Sequence, residues 1–468
     1  MIGPISFRHN IILVGFGCIG KALLPLLFRH LNINPSQITV FDKCHDGIAL
    51  TNEYQVLLNV ENITPENYLS ILEPSIKQGD LFINLSVDIA SAALIELCQK
   101  KGALYLDTCT EPWKGEYKDA SKHPEMRTNY ALRQGVLNIK TTKIAPTAVI
   151  THGANPGLVS HFVKQALLNM AKDNNYSGSM PSTREDWGYL AHWLGIKSIH
   201  IAERDMQTSA RVKKPGEFVN TWSVEGFISE GSQPAELGWG THEKSLPDNG
   251  FPFSFGTQCA IYLKQPGAAT KVRTWTPSYG ASHGFLITHA ESISIADYLT
   301  LEEGGRLFYR PTVHYAYVPC PDAILSIHEL AENEWHSNQT QRIMLDEIID
   351  GMDELGVLLM GNKKGAYWFG SQLSVQQARE LAPGNNATSL QVVAGVLAGV
   401  MWAIENPNQG IVEPEDIQFD YALKVAIPYL GELKGHYTDW TPLRNREHLF
   451  SEQIDNSDPW QFKNMLVD

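Results

Sequence analysis

Short apolar runs alternate with helical patterns over the first 150 residues. Ile11–Gly15, Ile38–Asp42, Asp80–Ser86, Ala103–Thr108 and Ala148–His152 read as strands. Between them, Ala22–Leu31 and Ala90–Lys101 repeat apolar residues at three- and four-residue spacing, the pattern of helices that cover a sheet. Strand–helix alternation favours right-handed βαβ units on a parallel sheet. The expected fold is therefore α/β, with a Rossmann-type doubly wound parallel sheet at its N-terminal end.

Beyond Asn155-Pro156-Gly157 a helix is expected over Leu158–Lys172, and Asp173–Asp186 reads as a surface loop. From Lys197 to Val318 the pattern turns β-rich, with Ser198–Arg204, Thr221–Ser229, Gln258–Leu263 and Gly284–His289 as extended stretches, so a second, α+β domain follows. After Pro383 comes the apolar helix Thr388–Glu405, whose core Val392–Ile404 falls short of the ~20 residues that cross a bilayer. It reads as a buried helix, with Gly395 and Gly399 able to admit a neighbouring backbone. The resulting division is 1–154, 155–385 and a C-terminal helical segment, 386–468, able to pack back on the first domain.

Charge narrows the partners. With 37 basic against 51 acidic side chains, the chain of 468 residues carries a formal charge of −14 and lacks a basic cluster. Nucleic-acid and anionic-membrane surfaces need such clusters, so neither is expected, and a cationic or neutral ligand fits better. The cysteines Cys18, Cys44, Cys98, Cys109, Cys259 and Cys320 form no C-x-x-C pair, so reduced structural thiols and no metal site are expected. The Met-Ile-Gly-Pro start has no secretory pattern, which implies a cytoplasmic chain.

Gly15-Phe16-Gly17-Cys18-Ile19-Gly20 is a G-x-G-x-x-G that leaves a strand and opens a helix. Gly15 permits the tight turn, Gly17 lets a pyrophosphate approach the backbone, and Gly20 lets the helix pack on the strand. Asp42 ends the next apolar strand, where a carboxylate accepts from a ribose 2′-hydroxyl and repels a 2′-phosphate, so NAD is expected over NADP. The neighbouring Lys43 works against that preference. Ser86, Val87, Asp88, Thr108 and Glu111 fall at other strand ends, on the edge where such sheets bind their ligand.

Thr221 to Gly240 concentrates carboxylates and the indoles Trp222 and Trp239 between glycines. Carboxylates neutralise an ammonium and an indole face attracts cations, so the pattern suits an amine; by itself the stretch is read more readily as aromatic core anchors, Trp222 and Trp239, beside a solvated acidic strand face. Oxidising an amine with NAD needs a base to free the nitrogen lone pair. Glu203, Glu230 and His289 are all candidates, and spacing does not rank them.

Taken with Asn155-Pro156-Gly157, Glu203-Arg204-Asp205 and Trp222-Ser223-Val224-Glu225-Gly226, the glycine loop makes the chain resemble the bacterial homospermidine synthase family, part of the saccharopine-dehydrogenase-like group, over nearly its whole length. The resemblance implies an NAD-dependent transferase that joins two putrescines into sym-homospermidine with loss of ammonia. NAD would be recycled in place, spermidine would be a second aminobutyl donor, and the second domain would also dimerise the chain. It further implies that Trp222 holds cationic substrates, that Glu230 serves turnover, and that Glu203, Asp88, Glu111, Asn155 and His289 surround substrate and nicotinamide.

Two other classes compete. A saccharopine or carboxynorspermidine dehydrogenase would turn over NAD(P) with net redox change and would need a cationic anchor for a carboxylate, for which Arg204, Arg211, Arg273 and Arg310 are available. A non-catalytic NAD-binding regulator is the other, disfavoured by the acidic charge and the lack of any DNA-reading element.

Overall fold

The computed structural model describes residues 3–139 and 144–467; Met1 and Ile2, part of the N-terminal reading, lie outside them. The first sheet is built from β1 (Ile11–Val14), β2 (Ile38–Asp42), β3 (Leu57–Val60), β4 (Leu81–Asn84), β5 (Leu104–Asp107) and β6 (Ala148–Val149). The spatial order is β3-β2-β1-β4-β5-β6, extended by the strand Ile411–Val412, and every pairing is parallel. From β1 the chain winds outward to β2 and β3; it then returns to β4 and winds the other way. The crevice above the β1 and β4 carboxyl ends is thus the switch point where such sheets bind ligands. Two helices, α1 (Cys18–His30) and α2 (Ser91–Lys101), cover the faces, with Leu23, Leu24, Leu26 and Leu27 buried on α1.

The second domain centres on an 11-stranded mixed sheet. Helix α3 (Leu158–Asp173) covers one face of it. Its central strands are β7 (Ser198–Asp205), β8 (Thr312–Val318), β9 (Met352–Met360) and β10 (Ala366–Ser374), in the order β8-β7-β9-β10. The β8–β7 pair is parallel and the others antiparallel. All seven residues of β8 are buried, so the sheet is covered on both faces at its centre.

Several elements differ from the sequence pattern. Thr221–Ser229, expected as extended, contains the start of a helix, α4 (Val224–Ser232). The Ser223 hydroxyl accepts from the Gly226 amide at 3.1 Å as its N-cap, and Val224, Phe227 and Ile228 bury one face at i, i+3 and i+4. Capping and periodicity outweigh the β-branched and aromatic composition that suggested a strand. The helix Arg184–Trp193, capped by Thr183, begins before the expected loop ends.

The tail is not one helical segment. α5 (Ala387–Glu405) packs on α1 and β5, Ile411–Val412 joins the first sheet, and β11 (Glu432–Thr438) pairs with β10 in the second. Residues after Trp440 strap the outer face of that sheet, burying Trp460, Phe462 and Met465. The short strands Leu57–Val60 and Ile411–Val412 were invisible in the pattern because each depends on a partner strand rather than on its own alternation.

α5 is long and apolar enough to cross a bilayer by length and composition, but 89% of that apolar window is buried inside the fold. At Gly395 and Gly399 the approach is close: a Cβ at Gly395 would lie 1.9 Å from the Gly153 carbonyl oxygen, and one at Gly399 would lie 2.7 Å from Leu106.

Candidate active site

The glycine loop leaves β1 with Gly15 at φ +88°, where a Cβ would stand 2.6 Å from the Leu85 and Ser86 backbone. Gly20 has the same constraint from within, its Cβ direction 2.5 Å from the Gly15 carbonyl oxygen. Gly17, in contrast, faces open space, with nothing within 4 Å of where a Cβ would be, and it begins α1 with no side chain capping the helix amides. A bare backbone at a helix N-terminus, open on one side, fits a pyrophosphate. Asp42 sits at the end of β2 and accepts from the Phe16 amide at 2.5 Å and from the Cys44 amide at 2.9 Å, so its carboxylate lies against the loop where a ribose hydroxyl is expected. Lys43 is engaged elsewhere, its Nζ 2.8 Å from Glu225 Oε2 on α4.

A cavity of about 510 Å³ runs from this loop into the second domain. Its walls include the whole of 15–20, Asp42, Ser86, Val87, Asp88, Thr108, Glu111, Asn155, Glu203, Trp222, Glu230 and His289. Residues far apart in sequence therefore meet in one space. None of Arg204, Arg211, Arg273 and Arg310 reaches it. Arg204 stacks over the Tyr279 ring, Arg211 pairs with Glu217, Arg273 donates to the Leu466 carbonyl and Arg310 to the Trp239 carbonyl.

The inner wall is a hydrogen-bonded set. Glu203, on β7, accepts at Oε2 from Asn155 Nδ2 at 2.7 Å and from the Tyr315 hydroxyl at 2.5 Å. Burial pushes its carboxyl up to about 7, despite those two donors. His289 lies with its ring 4.5 Å from that of Tyr315, its Nε2 2.9 Å from Glu230 and its Nδ1 3.3 Å from the fully buried Glu291. Burial alone would push this imidazole down, but the charges of Glu230 and Glu291 outweigh it and hold His289 well above its ordinary value. The two acidic side chains that flank the ring thus favour its protonated form.

Acidic groups also crowd one another. Burial and the charge of Glu230 push Glu111 up to about 8, and burial and Glu225 raise Asp88. Asp88 takes φ +68°, uncommon for a residue with a side chain, and its amide donates to Glu111 at 3.4 Å. Carboxyl groups raised by burial and neighbouring negative charge in this way are relieved by an incoming cation. Trp222 supplies an apolar counterpart: its Nε1 donates to the Tyr317 hydroxyl at 3.1 Å, and its ring packs 5.2 Å from Phe227.

The acidic and aromatic tract divides between site and scaffold. Trp222, Glu225 and Glu230 line the cavity, whereas Glu236 is a buried helix anchor that accepts from the Asn129 and Tyr130 amides at 2.8 and 3.0 Å, and Trp239 packs on Phe462. Sequence reasoning missed Tyr315, Tyr317, Glu291 and Thr388. The two tyrosines sit in a strand that reads as pure core, and Glu291 is legible only in its position two residues after His289.

Two family models divide the chain: the saccharopine dehydrogenase NADP binding domain matches residues 11–150, and the saccharopine dehydrogenase C-terminal domain matches 153–439. A homospermidine synthase of Blastochloris viridis is 52% identical over 471 residues, covering 99% of each chain. Another, from Mesorhizobium japonicum, is 50% identical over 465 residues, covering 98% of this chain and 96% of its own. The crystal structure of the homospermidine synthase from Legionella pneumophila in complex with NAD superposes with a TM-score of 0.93 at 54% identity, covering 99% of both chains. Saccharopine dehydrogenase (L-Glu forming) from Saccharomyces cerevisiae, at 11% identity and a TM-score of 0.50 over 92% of this chain and all of its own, shares the fold alone.

Proposed function

The chain belongs to the homospermidine synthases of the saccharopine dehydrogenase family, and from that premise we propose how its own residues carry the reaction. The enzyme joins two putrescines into sym-homospermidine and releases ammonia, with NAD regenerated in each cycle. When bound, NAD accepts a hydride in the first half of the cycle and returns it in the second. Residues 1–154 hold the cofactor, 155–385 bind the substrate, and α5, from the C-terminal segment, serves both.

Glu203 takes the proton from the first putrescine ammonium, because only the neutral amine has the lone pair that assists loss of hydride from its α-carbon. Held at Oε2 by Asn155 and Tyr315, it meets that proton with Oε1. The face of Trp222 steadies the positive charge of substrate and imine, worth roughly 0.5–2 kcal/mol by cation–π attraction. Attack by the second putrescine forms a new C–N bond at the imine carbon and breaks the bond to ammonia. Glu230, hydrogen-bonded to His289, takes the proton that the attacking amine loses and passes it to the nitrogen that leaves as ammonia. Glu111 and Asp88 receive the distal ammonium. The buried inner wall of Glu203, Tyr315 and His289 limits the water that reaches the imine while the second amine arrives.

One observation carries the reading: a single cavity contains the open backbone at Gly17, the indole of Trp222 and the Glu203 and Glu230–His289 groups, with no arginine among its described lining residues. The lining also carries Lys21, Lys43 and Lys114, so it is the acidic inner wall around Glu203 and Glu230, rather than a lack of cations, that favours a diamine over an amino-acid carboxylate. Asp42 against the loop and Lys43 paired to Glu225 both favour NAD over its 2′-phosphate analogue. Incubation with putrescine and substoichiometric NAD is the test. Homospermidine formed over many cycles without NADH build-up is expected; NADH in proportion to product would overturn the proposal.

Spermidine as a second aminobutyl donor, a homodimer and a cytoplasmic location belong to the same proposal. Six free thiols suit a reducing compartment, and exposed apolar side chains such as Leu449 and Phe450 offer surface for a partner subunit to cover.

A further inference from the structure

Tyr315 and Tyr317 stand two apart on β8, so both rings project from the same face of the strand; their centroids lie 5.2 Å apart at 17°. Their hydroxyls serve different groups. Tyr315 donates to Glu203 Oε2 at 2.5 Å, on the same oxygen that Asn155 occupies at 2.7 Å, and Oε1 has no hydrogen-bond partner among the described residues. Tyr317 accepts from Trp222 Nε1 at 3.1 Å and meets Phe227 edge-on at 5.6 Å, which leaves the indole with one edge tethered and its ring part of the cavity wall. Tyr315 lines the cavity; Tyr317 is fully buried behind it.

Resting on Glu203 as base and Trp222 as cation holder, we propose that the stacked Tyr315–Tyr317 pair are positioning residues that align the two. Tyr315, with Asn155, immobilises one oxygen of Glu203 so that the other is presented to the substrate ammonium. Tyr317 pins the indole edge of Trp222 so that its face is presented to the cation. Because the two rings stack on one strand, the distance between the proton acceptor and the cation platform is set by a rigid element rather than by loops.

Charges around Glu203 come from several elements: Asp205 on its own strand, Asp353 opposite on β9, and His289 with Glu230 and Glu291 behind it. A limb in the pH profile is assigned to Glu203 only if Glu203→Gln abolishes it.

The test uses the full-length, NAD-loaded enzyme with putrescine. Tyr315→Phe removes a donor that favours the ionised carboxylate, so the acidic limb of kcat/KM moves to higher pH and kcat falls about tenfold, the usual cost of a hydrogen bond to a charged group. A fluorinated tyrosine at 315, a better donor of nearly unchanged shape, moves the limb the other way and covers the case in which the phenylalanine variant folds poorly. Tyr317→Phe raises KM several-fold in the native background but has no further effect on Trp222→Phe, which has no N–H to tether. A limb that stays in place in both 315 variants, or an equal KM cost of Tyr317→Phe in both backgrounds, overturns the positioning role. Persistence of the limb in Glu203→Gln instead overturns the assignment of the base, a separate outcome.

Discussion

Lys43 and Glu225 meet at 2.8 Å across the cavity, one just past the end of β2 in the first domain, the other in the first turn of α4 in the second. Both are partly solvent-exposed, so the pair is screened by salt and its contribution is small. Its location matters more than its strength, because opening the two domains breaks it. Lys43→Ala is expected to speed NAD release about two- to fivefold, and raised salt should do the same to the native enzyme only. A charge-swapped pair, Lys43→Glu with Glu225→Lys, should recover retention in a fluorescence-chase measurement; no recovery would mean that Lys43 acts on the cofactor directly.

Trp222→Phe is expected to keep partial activity and Trp222→Ala to lose most of it. A phenyl face retains some of the cation attraction and an alanine none, a difference of roughly 2- to 30-fold in kcat/KM for a term of about 0.5–2 kcal/mol. Equal losses would assign the indole to packing against Phe227 instead.

Glu230→Gln should bind NAD normally and turn over poorly. The amide keeps the shape but strips His289 of the nearer of its two carboxylate partners, 2.9 Å away. Calorimetric titration of NAD beside steady-state rates separates the two effects. Weakened cofactor binding would move Glu230 out of the substrate site.

Stability should fall as pH rises through the neutral range. Glu203 and Glu111, raised by burial to about 7 and about 8, bind more protons folded than unfolded between their ordinary values and these, and His289, also raised, has the same sign. Their stabilisation is complete below the unfolded values and is lost as pH climbs through the folded ones. In the opposite direction, buried neutral histidines such as His152, lowered by burial to about 4, destabilise the fold as pH drops below their ordinary value. Melting temperature without diamine should therefore peak near pH 6 and decline toward pH 8.5, with putrescine giving its larger upward shift at the alkaline end. A rise between pH 6.5 and 8.5 would mean that these carboxylates are already ionised in the fold.

Much of the first domain was legible because its signals are local. The strand Ile11–Val14, the glycine loop and Asp42 carry their reasons within a few residues, and Ile38–Asp42 reads with its observed bounds. Composition alone marked Trp222 and Glu230 as part of a tract without separating them from Trp239 and Glu236; only the family resemblance singled them out, since tertiary contact is what distinguishes a cavity wall from a helix anchor. Tyr315 was illegible for a related reason. A strand buried on both faces hides a functional hydroxyl among core positions, and its partner Glu203 lies 112 residues away.

The contact of Gly395 with Gly153 makes α5 a girder between two layers. Its first turn reaches Asp353 through Thr388, its middle presses on the turn that precedes Asn155, and Val392 between them forms part of the cavity wall. Any bulk added at 395 would be transmitted through that turn to the amide gripping Glu203. Room for a longer amine therefore has to be made away from α5, as where Trp113 and Lys114 border the space from an irregular loop.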